Sequence, residues 1–421
     1  MIARALWSLV LRLALPLVFV RLWWRGRREP GYRRAWRERL GFGPSSPPGA
    51  VWVHAVSLGE TRAAGALIDA LRKLQPDVRI LLTHGTATGR DAGRAWWREG
   101  DHQCWLPYDT PGAVRRFLRR HRPIVGVLME TEVWPNLIHQ AARHDVPMVL
   151  ANARLSERSA RRGQRLPSLM RPAAAQLTLV LAQSHDDAMR MREAGARDVE
   201  VCGNLKFDMT PDPALVARGR AWRQALGRPV VLMASSREGE EPPLLAAWRT
   251  QPEPRPLLLL VPRHPQRFDE VARLVRDAGF TLARRSSWED VPAESEARAD
   301  VWLGDSMGEM PLYYAAADVA LLGGSFEPLG GQNLIESAAC GCPLVMGPHT
   351  FNFAQAADGA LAERAALRVL GIEEGVRRAV ELALDPQREQ WSQRALAFAG
   401  LHRGAARRMA ERIVRVINSA R

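Results

Sequence analysis

The sequence predicts an α/β protein made of two doubly wound parallel sheets, and three observations predict it. Short apolar strand patterns alternate with helical patterns from Val51 onward, as they do when crossover helices join parallel strands. A second series of the same kind, without obvious sequence repetition, follows a proline-marked interruption at Phe207 to Gly227. At 421 residues, the chain is long enough for each series to bury its own core. The composition is that of a folded protein, with 47% hydrophobic and 25% charged residues and no long low-complexity tract.

The chain begins with an apolar stretch, Met1 to Trp24, interrupted by Arg4, Arg12 and Arg21 and containing Pro16. Its charge-free runs are shorter than the about 20 residues of a comfortable span. No small-residue cleavage site follows, and the next residues are arginines, which argues against a signal peptide. Arg12 at mid-bilayer would cost about 3 kcal/mol unless it snorkels. The expectation is an anchor that either spans marginally or lies in the interface with its Trp and Leu side chains buried. Arg25 to Arg39 adds seven arginines against Glu29 and Glu38. Such a run suits the cytoplasmic side of a membrane and contact with anionic headgroups, and a solvated basic helix is the alternative. Residues 1–41 are thus read as anchor and basic segment, and Phe42 to Ala50, with GPSSPPG at its centre, as the linker that opens the first lobe, 42–207.

The net charge of +14, carried almost entirely by Arg, attracts polyanions: nucleic acid, anionic lipid or a phosphorylated substrate. Arg enrichment equally follows from a GC-rich genome, so charge alone does not choose. Cys104, Cys202, Cys340 and Cys342 are scattered without paired CxxC spacing, so a reduced compartment and no metal is the default.

The first lobe is organised around Val51 to Leu74, which passes from a β-rich apolar run through Ser57 and Gly59 into a helix with apolar residues at Ala63, Leu67, Ala70, Leu71 and Leu74. That turn presents Glu60. A carboxylate beyond the carboxyl end of a parallel strand is placed to act as a general base. Ser57-Leu58-Gly59-Glu60 also fits the capping box S-x-x-E, so the two readings stand side by side. Further strands are expected at Ile80 to Thr83, Val125 to Met129, Pro147 to Ala151 and Leu177 to Ala182. The loops after them carry His84-Gly85-Thr86, Glu130-Thr131-Glu132, Asn152-Ala153-Arg154 and Gly203-Asn204-Leu205-Lys206. Singly these are turns or caps; converging on one rim they would suit an anionic, hydroxyl-rich substrate.

Residues 208–227, with Pro211 and Pro213 and then a charged helical stretch, are read as the linker between lobes and 228–372 as the second lobe, with strands at Val230 to Ala234, Leu257 to Val261, Thr281 to Ala283, Asp300 to Leu303, Val319 to Leu322 and Pro343 to Met346. Gly323 to Asn333, GGSFEPLGGQN, follows a strand and opens the helix Leu334 to Cys340, so its amides can approach a phosphate. It matches neither GxGxxG nor the P-loop. Glu336 could accept from a ribose diol or belong to an Asn-x-x-Glu cap. Pro262-Arg263-His264-Pro265 gives a rigid loop with a fixed cation, and Met307-Gly308-Glu309 precedes another helix, where it is a ligand-facing segment or a plain turn. The tail, 373–421, reads as helical and Arg/Ala-rich, packing back on the lobes.

The words WVHAVSLGE, LMETEVWPNLI, LANARLSERSA, GNLKFD, VPRHPQRFDEV, MGEMPLYYAAADVALLGGSFEPLGGQNLIE and GPHTFNFA, in that order, resemble the 3-deoxy-D-manno-oct-2-ulosonic acid (Kdo) transferases of lipopolysaccharide assembly. The resemblance implies a GT-B glycosyltransferase fold, two Rossmann-like domains facing a cleft. It implies CMP-Kdo as donor, the glucosamine disaccharide of a lipid A precursor as acceptor, and an inverting reaction with no metal or other cofactor. It implies the cytoplasmic face of the inner membrane of a Gram-negative bacterium, and no nucleic-acid partner. Carried over by position, Glu60 would deprotonate the acceptor hydroxyl, and Glu130 and Lys206 would stabilise the transition state. Pro262 and Arg263, Met307, Gly308 and Glu309, and Asn333, Leu334, Ile335 and Glu336 would contact CMP. The sequence departs from the family pattern at Gln332, Leu334, Ile335 and Ser337, where His, Pro, Leu and Pro are usual, and at Ser236-Arg237, where Thr-His is usual. Arg237 is a candidate for the donor's carboxylate or phosphate. A transferase using another nucleotide sugar and a non-catalytic basic protein of the membrane surface are the competing readings.

Overall fold

The structure is a computed structural model that describes residues 2–288 and 291–419. The chain divides into two compact units, one of Met1–Met209 with Arg403–Arg421 and the other of Thr210–His402.

The first unit holds a sheet of seven parallel strands in the order β3-β2-β1-β4-β5-β6-β7. These are β1 (Val51–His54), β2 (Ile80–His84), β3 (His102–Trp105), β4 (Val125–Met129), β5 (Met148–Ala153), β6 (Leu179–Ala182) and β7 (Val199–Val201). In the central register Val51 pairs with Ile80 on one side and Val125 on the other. β1, β2 and β4 are buried along their whole length, because helices cover both faces of a parallel sheet. The expected strands are present, and the sequence reading missed β3 and β7, the two edges. HQCW and VEV carry polar residues that only an edge, paired on one side, leaves partly exposed.

The first helix, α1 (Ile2–Arg25), is long and apolar enough to cross a membrane. It nevertheless lies along this unit over most of its length. Trp7 Nε1–H donates to Asp109 at 3.1 Å and the Ser8 hydroxyl to Asn136 at 3.0 Å near one end. Near the other, Phe19 meets Trp36 and Tyr108 edge-on, and Leu22 packs on the cluster of Tyr32, Ala87 and Trp105. Trp7 and Leu22 are about 22 Å apart along a helix. Residues 4, 7, 8, 11, 15, 18, 19 and 22 form the inward stripe, while Leu6, Leu9, Leu13, Leu17, Val20 and Trp24 face outward. The basic run is only partly available to headgroups: Arg39 is buried over the Trp105 ring, and Arg33 caps the Trp23 carbonyl. The segment 42–50 is likewise tied down, since Arg120 donates to the Gly43 carbonyl at 2.7 Å and Ser46 is buried against His121.

The second unit repeats the plan in the order β10-β11-β9-β8-β12-β13-β14. Its strands are β8 (Val230–Ser236), β9 (Leu257–Pro262), β10 (Leu282–Arg284), β11 (Val301–Leu303), β12 (Val319–Leu322), β13 (Leu344–Met346) and β14 (Ala366–Arg368). All pair in parallel.

Two segments take definite places. The charged helical stretch expected within residues 208–227 is the helix Pro213–Leu226, and it belongs to this unit, its Trp222 fully buried beside Trp288 and Trp302. Gly219 lets that helix approach the Leu312 carbonyl so closely that a Cβ would sit 2.2 Å from it. The tail does not act as one piece. The helices Ile372–Leu384 and Arg388–Leu401 belong to the second unit, whereas Ala405–Ser419 returns to the first. There Met409, Ile413 and Ile417 join the core beneath α2 (Leu58–Leu74), and Asp208 accepts from the amides of Gly404 and Ala406 at that helix's start.

Candidate active site

Strand order in the first unit reverses between β1 and β4, and the space beyond the carboxyl ends of strands at such a switch point is where open parallel sheets bind ligands. Glu60 follows β1, and Glu130 and Glu132 follow β4. The topology therefore brings three carboxyl groups together that are up to 72 residues apart in sequence.

Ser57 is the N-cap of α2, and its hydroxyl oxygen accepts from the Glu60 amide at 3.3 Å. The Glu60 carboxylate reaches back, accepting from the Val56 amide at 3.0 Å and the Ser57 hydroxyl at 2.9 Å. The capping reading is thus realised, one residue further back than the usual box. Capping does not exhaust a carboxylate, which has about four acceptor positions. Burial pushes the Glu60 carboxyl up, the Val56 amide opposes this, and the charge of Glu130 adds to the rise.

Glu130 adopts φ 56, a left-handed conformation that costs a non-glycine residue about 1 kcal/mol or more. It is held there by its amide bond to the Ala151 carbonyl, 3.0 Å, and by the Arg154 amide donating to its carbonyl, 3.2 Å. Lys206 Nζ lies 3.9 Å from its carboxylate. The position of Lys206 depends on three side-chain amides. Fully buried Asn152, also left-handed at φ 52, accepts from the Leu205 amide at 3.0 Å. Gln183 donates to the Asn152 carbonyl and accepts from Asn204, each at 3.0 Å, and Asn204 accepts from the Lys206 amide at 2.9 Å. The sequence singled out the loops of Asn152 and Asn204 but not Gln183, which joins them.

Glu132 is the residue that the sequence reading undervalued. Burial first, and then the charges of Glu60 and Glu130, push its carboxyl up to about 7, against the 2.6 Å hydrogen bond donated by the Trp134 indole. His54, 3.9 Å away, is no counter-ion, because complete burial holds it down at about 4 and hence neutral. A raised carboxyl pKa contributes stability below the unfolded value of 4.5 and loses it as pH rises through about 7. Glu132→Gln is therefore expected to leave stability nearly unchanged at pH 4.5 and to raise it by about 1–3 kcal/mol above pH 7. Denaturant melts of both proteins at the two pH values measure this, and an equal effect at both would refute it.

In the second unit the order reverses between β8 and β12. Here buried Glu240 joins the loops that leave those strands. Its carboxylate accepts from the Gly324 amide at 2.8 Å, the Phe326 amide at 3.3 Å and the Arg237 amide at 2.8 Å. Of the glycine-rich loop's amides, those of Gly324 and Phe326 are thus committed to a carboxylate. Gly323 is required for another reason: a Cβ there would lie 2.2 Å from the Ser235 carbonyl oxygen. Next to this, Glu241 makes a buried two-pronged pair with Arg267 at 2.7 and 3.1 Å.

The other expected ligand segments lie at the same end of the sheet. Pro262 ends β9, and the Arg263 amide donates to the Ser236 carbonyl while its side chain is exposed, without a hydrogen bond or ion pair among the described residues. Met307 is exposed and Gly308 has φ +84. Glu309 turns inward: burial works against its charge, but the Ser306 hydroxyl, Arg285 and Arg218 hold its carboxyl below the ordinary range. Asn333 caps the helix Leu334–Ala339 by accepting from the Ile335 amide at 3.2 Å. Leu334 and Ile335 are core residues, so only their main chain could meet a ligand, and Glu336 is half-buried in the first turn.

Comparison with known proteins gives this geometry a family. Residues 34–209 match the family model described as 3-Deoxy-D-manno-octulosonic-acid transferase (kdotransferase). The chain is 48% identical to the 3-deoxy-D-manno-octulosonic acid transferase of Bordetella pertussis, over 96% of this chain and 97% of that one. It is 34% identical to the enzyme of the same name from Haemophilus influenzae, again over 96% and 97%. Among solved structures, the UDP-GlcNAc 2-epimerase of Neisseria meningitidis bound to UDP-GlcNAc has a TM-score of 0.57 at 12% identity, covering 88% of this chain and all of that one, a likeness of fold only. The fold is that of the two-domain GT-B proteins, and by near full-length identity the chain belongs to the 3-deoxy-D-manno-octulosonic acid transferase family.

Proposed function

We propose that this Kdo transferase takes Kdo from CMP-Kdo and places it, with inversion at the anomeric carbon, on a hydroxyl of the glucosamine disaccharide of a lipid A precursor. The observation that carries the mechanism is the Glu60 carboxylate, partly desolvated at the switch point beside Glu130, with its ordinary pKa raised toward that of a working base. Glu60 takes the acceptor's proton as that oxygen attacks the anomeric carbon, and the bond from that carbon to the CMP phosphate oxygen breaks with its electrons going to the phosphate. Positive charge grows on the sugar and negative charge on the leaving group. Glu130 answers the first and Lys206 the second, both held in place before the reaction by the main-chain and amide network around them. Pro262 and Arg263, Met307 to Glu309, and Asn333 to Glu336 form the CMP site, with exposed Arg263 as the phosphate's partner and Arg237 beside it for the Kdo carboxylate. CMP leaves with a single phosphate, so the reaction needs no metal and no other cofactor.

The reading extends to location. The outward face of α1 is apolar while its inward face is bonded to the first unit at both ends, which supports a helix that lies in one leaflet rather than one that projects across. The cytoplasmic leaflet of the inner membrane, rich in anionic headgroups, fits the exposed arginines beside it. Nucleic acid has no part in this reading.

The test uses the full chain with CMP-Kdo and a lipid A precursor in buffer without divalent cations. CMP is expected to be released only when both substrates are present. Thermal protection by UDP but not CMP would point to another nucleotide sugar. Salt-dependent membrane retention without CMP release would leave only a binding protein.

A further inference from the structure

Away from the switch point, at the β3 edge of the first sheet, three ligating side chains meet. His102 and Cys104 lie two residues apart on β3 and so project from the same face of the strand. His121, the last residue of the helix Pro111–His121, comes down on that face. One ring nitrogen of each histidine and Cys104 Sγ all lie within 4.8 Å of one another. Cys104 is 2% and His121 3% exposed. The imidazole rings are 5.2 Å apart, and Nε2 of His102 is buried with no hydrogen-bond partner. Nδ1 of His121 shares a 2.8 Å hydrogen bond with the Ser46 hydroxyl. A cavity of about 10 Å³, lined by Cys104, His121, Phe117, Glu38 and the turn at 41–44, adjoins two of the three side chains, and that is room for a single small ion or water.

We propose that His102, Cys104 and His121 bind one Zn²⁺ ion that clips the edge strand to the end of the helix and to the segment carrying Ser46. Two imidazoles and a thiolate are a ligand set for zinc, with bonds of about 2.0–2.1 Å to nitrogen and about 2.3 Å to sulfur. Such bonds place the ligand atoms about 3.5 Å apart. Closing from the observed spacing asks for about 1 Å of side-chain movement, and His102 Nε2 breaks no hydrogen bond in making it. Zinc would supply the partner which that buried nitrogen lacks.

The remaining chemistry fits. A neutral imidazole presents a lone pair on one ring nitrogen, so each histidine can give one bond to the metal. Zinc held by His121 Nε2 would leave the Nδ1 proton for the Ser46 hydroxyl at 2.8 Å, an outer-sphere bond of the kind that orients zinc-bound histidines. Zinc takes cysteine as the thiolate, so binding displaces the Cys104 proton: Cys–SH and Zn²⁺ give Cys–S–Zn⁺ and a proton released to solvent. Arg90 acts electrostatically on both His102 and Cys104, and Glu38, which lines the cavity, acts on both with the opposite sign. Its other partners, Arg90 at 2.9 Å and the Trp105 amide at 2.9 Å, fix it there. This site lies two strands from the β1/β4 switch point and takes no part in sugar transfer.

The full chain, stripped with a chelator and dialysed, is titrated with Zn²⁺ alone and, separately, with Co²⁺ as a spectroscopic stand-in. One equivalent of zinc per chain is expected, with a higher melting temperature on binding. The Co²⁺ form should show thiolate-to-cobalt charge transfer and the d–d bands of a tetrahedral site. Cys104→Ser should abolish the charge-transfer band and Cys202→Ser should keep it. Ser46→Ala should weaken zinc binding by about 10–100-fold. Substoichiometric zinc, a cobalt spectrum without the sulfur band, or a band that persists in Cys104→Ser would each overturn the proposal. The wild-type titration decides on its own, so a variant that fails to fold does not shelter it.

Discussion

Glu60→Gln is expected to lower kcat for Kdo transfer by about 10²–10⁴-fold while leaving the melting temperature within a few degrees of the parent. Glutamine keeps an acceptor for the Val56 amide, which the carboxylate meets at 3.0 Å, and its amide group can donate to the Ser57 oxygen. What it cannot do is take a proton at neutral pH. The substitution thus separates two roles that the structure gives to one side chain. Glu60→Ala removes the cap as well and should add a stability loss of about 0.5–2 kcal/mol. Transfer rate and thermal melting, recorded on the same preparations, provide the answer. Should Glu60→Gln turn over at the parental rate, Glu60 is a cap alone. Glu132, whose carboxyl is pushed up to about 7, would then be the next base to examine.

The second large effect is expected at Glu240, and there the conservative substitution should not be conservative. Both carboxylate oxygens accept main-chain amides, one from Gly324 and Phe326, the other from Gly324 and Arg237. In Glu240→Gln one of these positions becomes an NH₂ group pointed at an N–H, and in Glu240→Ala all the donors are orphaned. Leaving buried donors unpaired costs about 1–3 kcal/mol each. A loss of about 3–5 kcal/mol in the second unit follows for Ala, lowering its melting temperature by roughly 10 °C, and about 1–3 kcal/mol for Gln, which leaves one donor unpaired. CMP affinity should fall with it, since the loops after β8 and β12 would no longer be joined. Calorimetry of the two variants, followed by CMP titration below their melting points, checks both parts. A Glu240→Gln protein that melts like the parent would mean that the loops are held by other contacts.

Much of this was legible in the residues themselves. The interior strands of both sheets are unbroken runs such as Leu257 to Val261, and burial on both faces leaves no other composition open to them. Ser57 and Glu60 announced both a cap and an acid at one turn, and the structure contains the cap in full. Edge strands escaped notice because HQCW, VEV and ALR need satisfy only one neighbour. The helical stretch after Pro213 is legible, but its Arg residues and flanking prolines hide how completely Trp222 is buried.

The sequence by itself determined the alternation of strands and helices, the family to which the chain belongs, and the identities of its acidic and basic loop residues, because those are properties of short contiguous words. The tertiary structure alone decided which of them act on one another. Glu60 raises Glu132 only because strand order reverses between β1 and β4. Glu240 claims the amides of a loop 84 residues away because β8 and β12 are neighbours. His102, Cys104 and His121 show no zinc spacing in the chain, and they converge because an edge strand and a helix end fold onto each other. Charge coupling, desolvation and metal ligation fall off within a few ångströms, so they depend on distances in space that the order of residues does not contain.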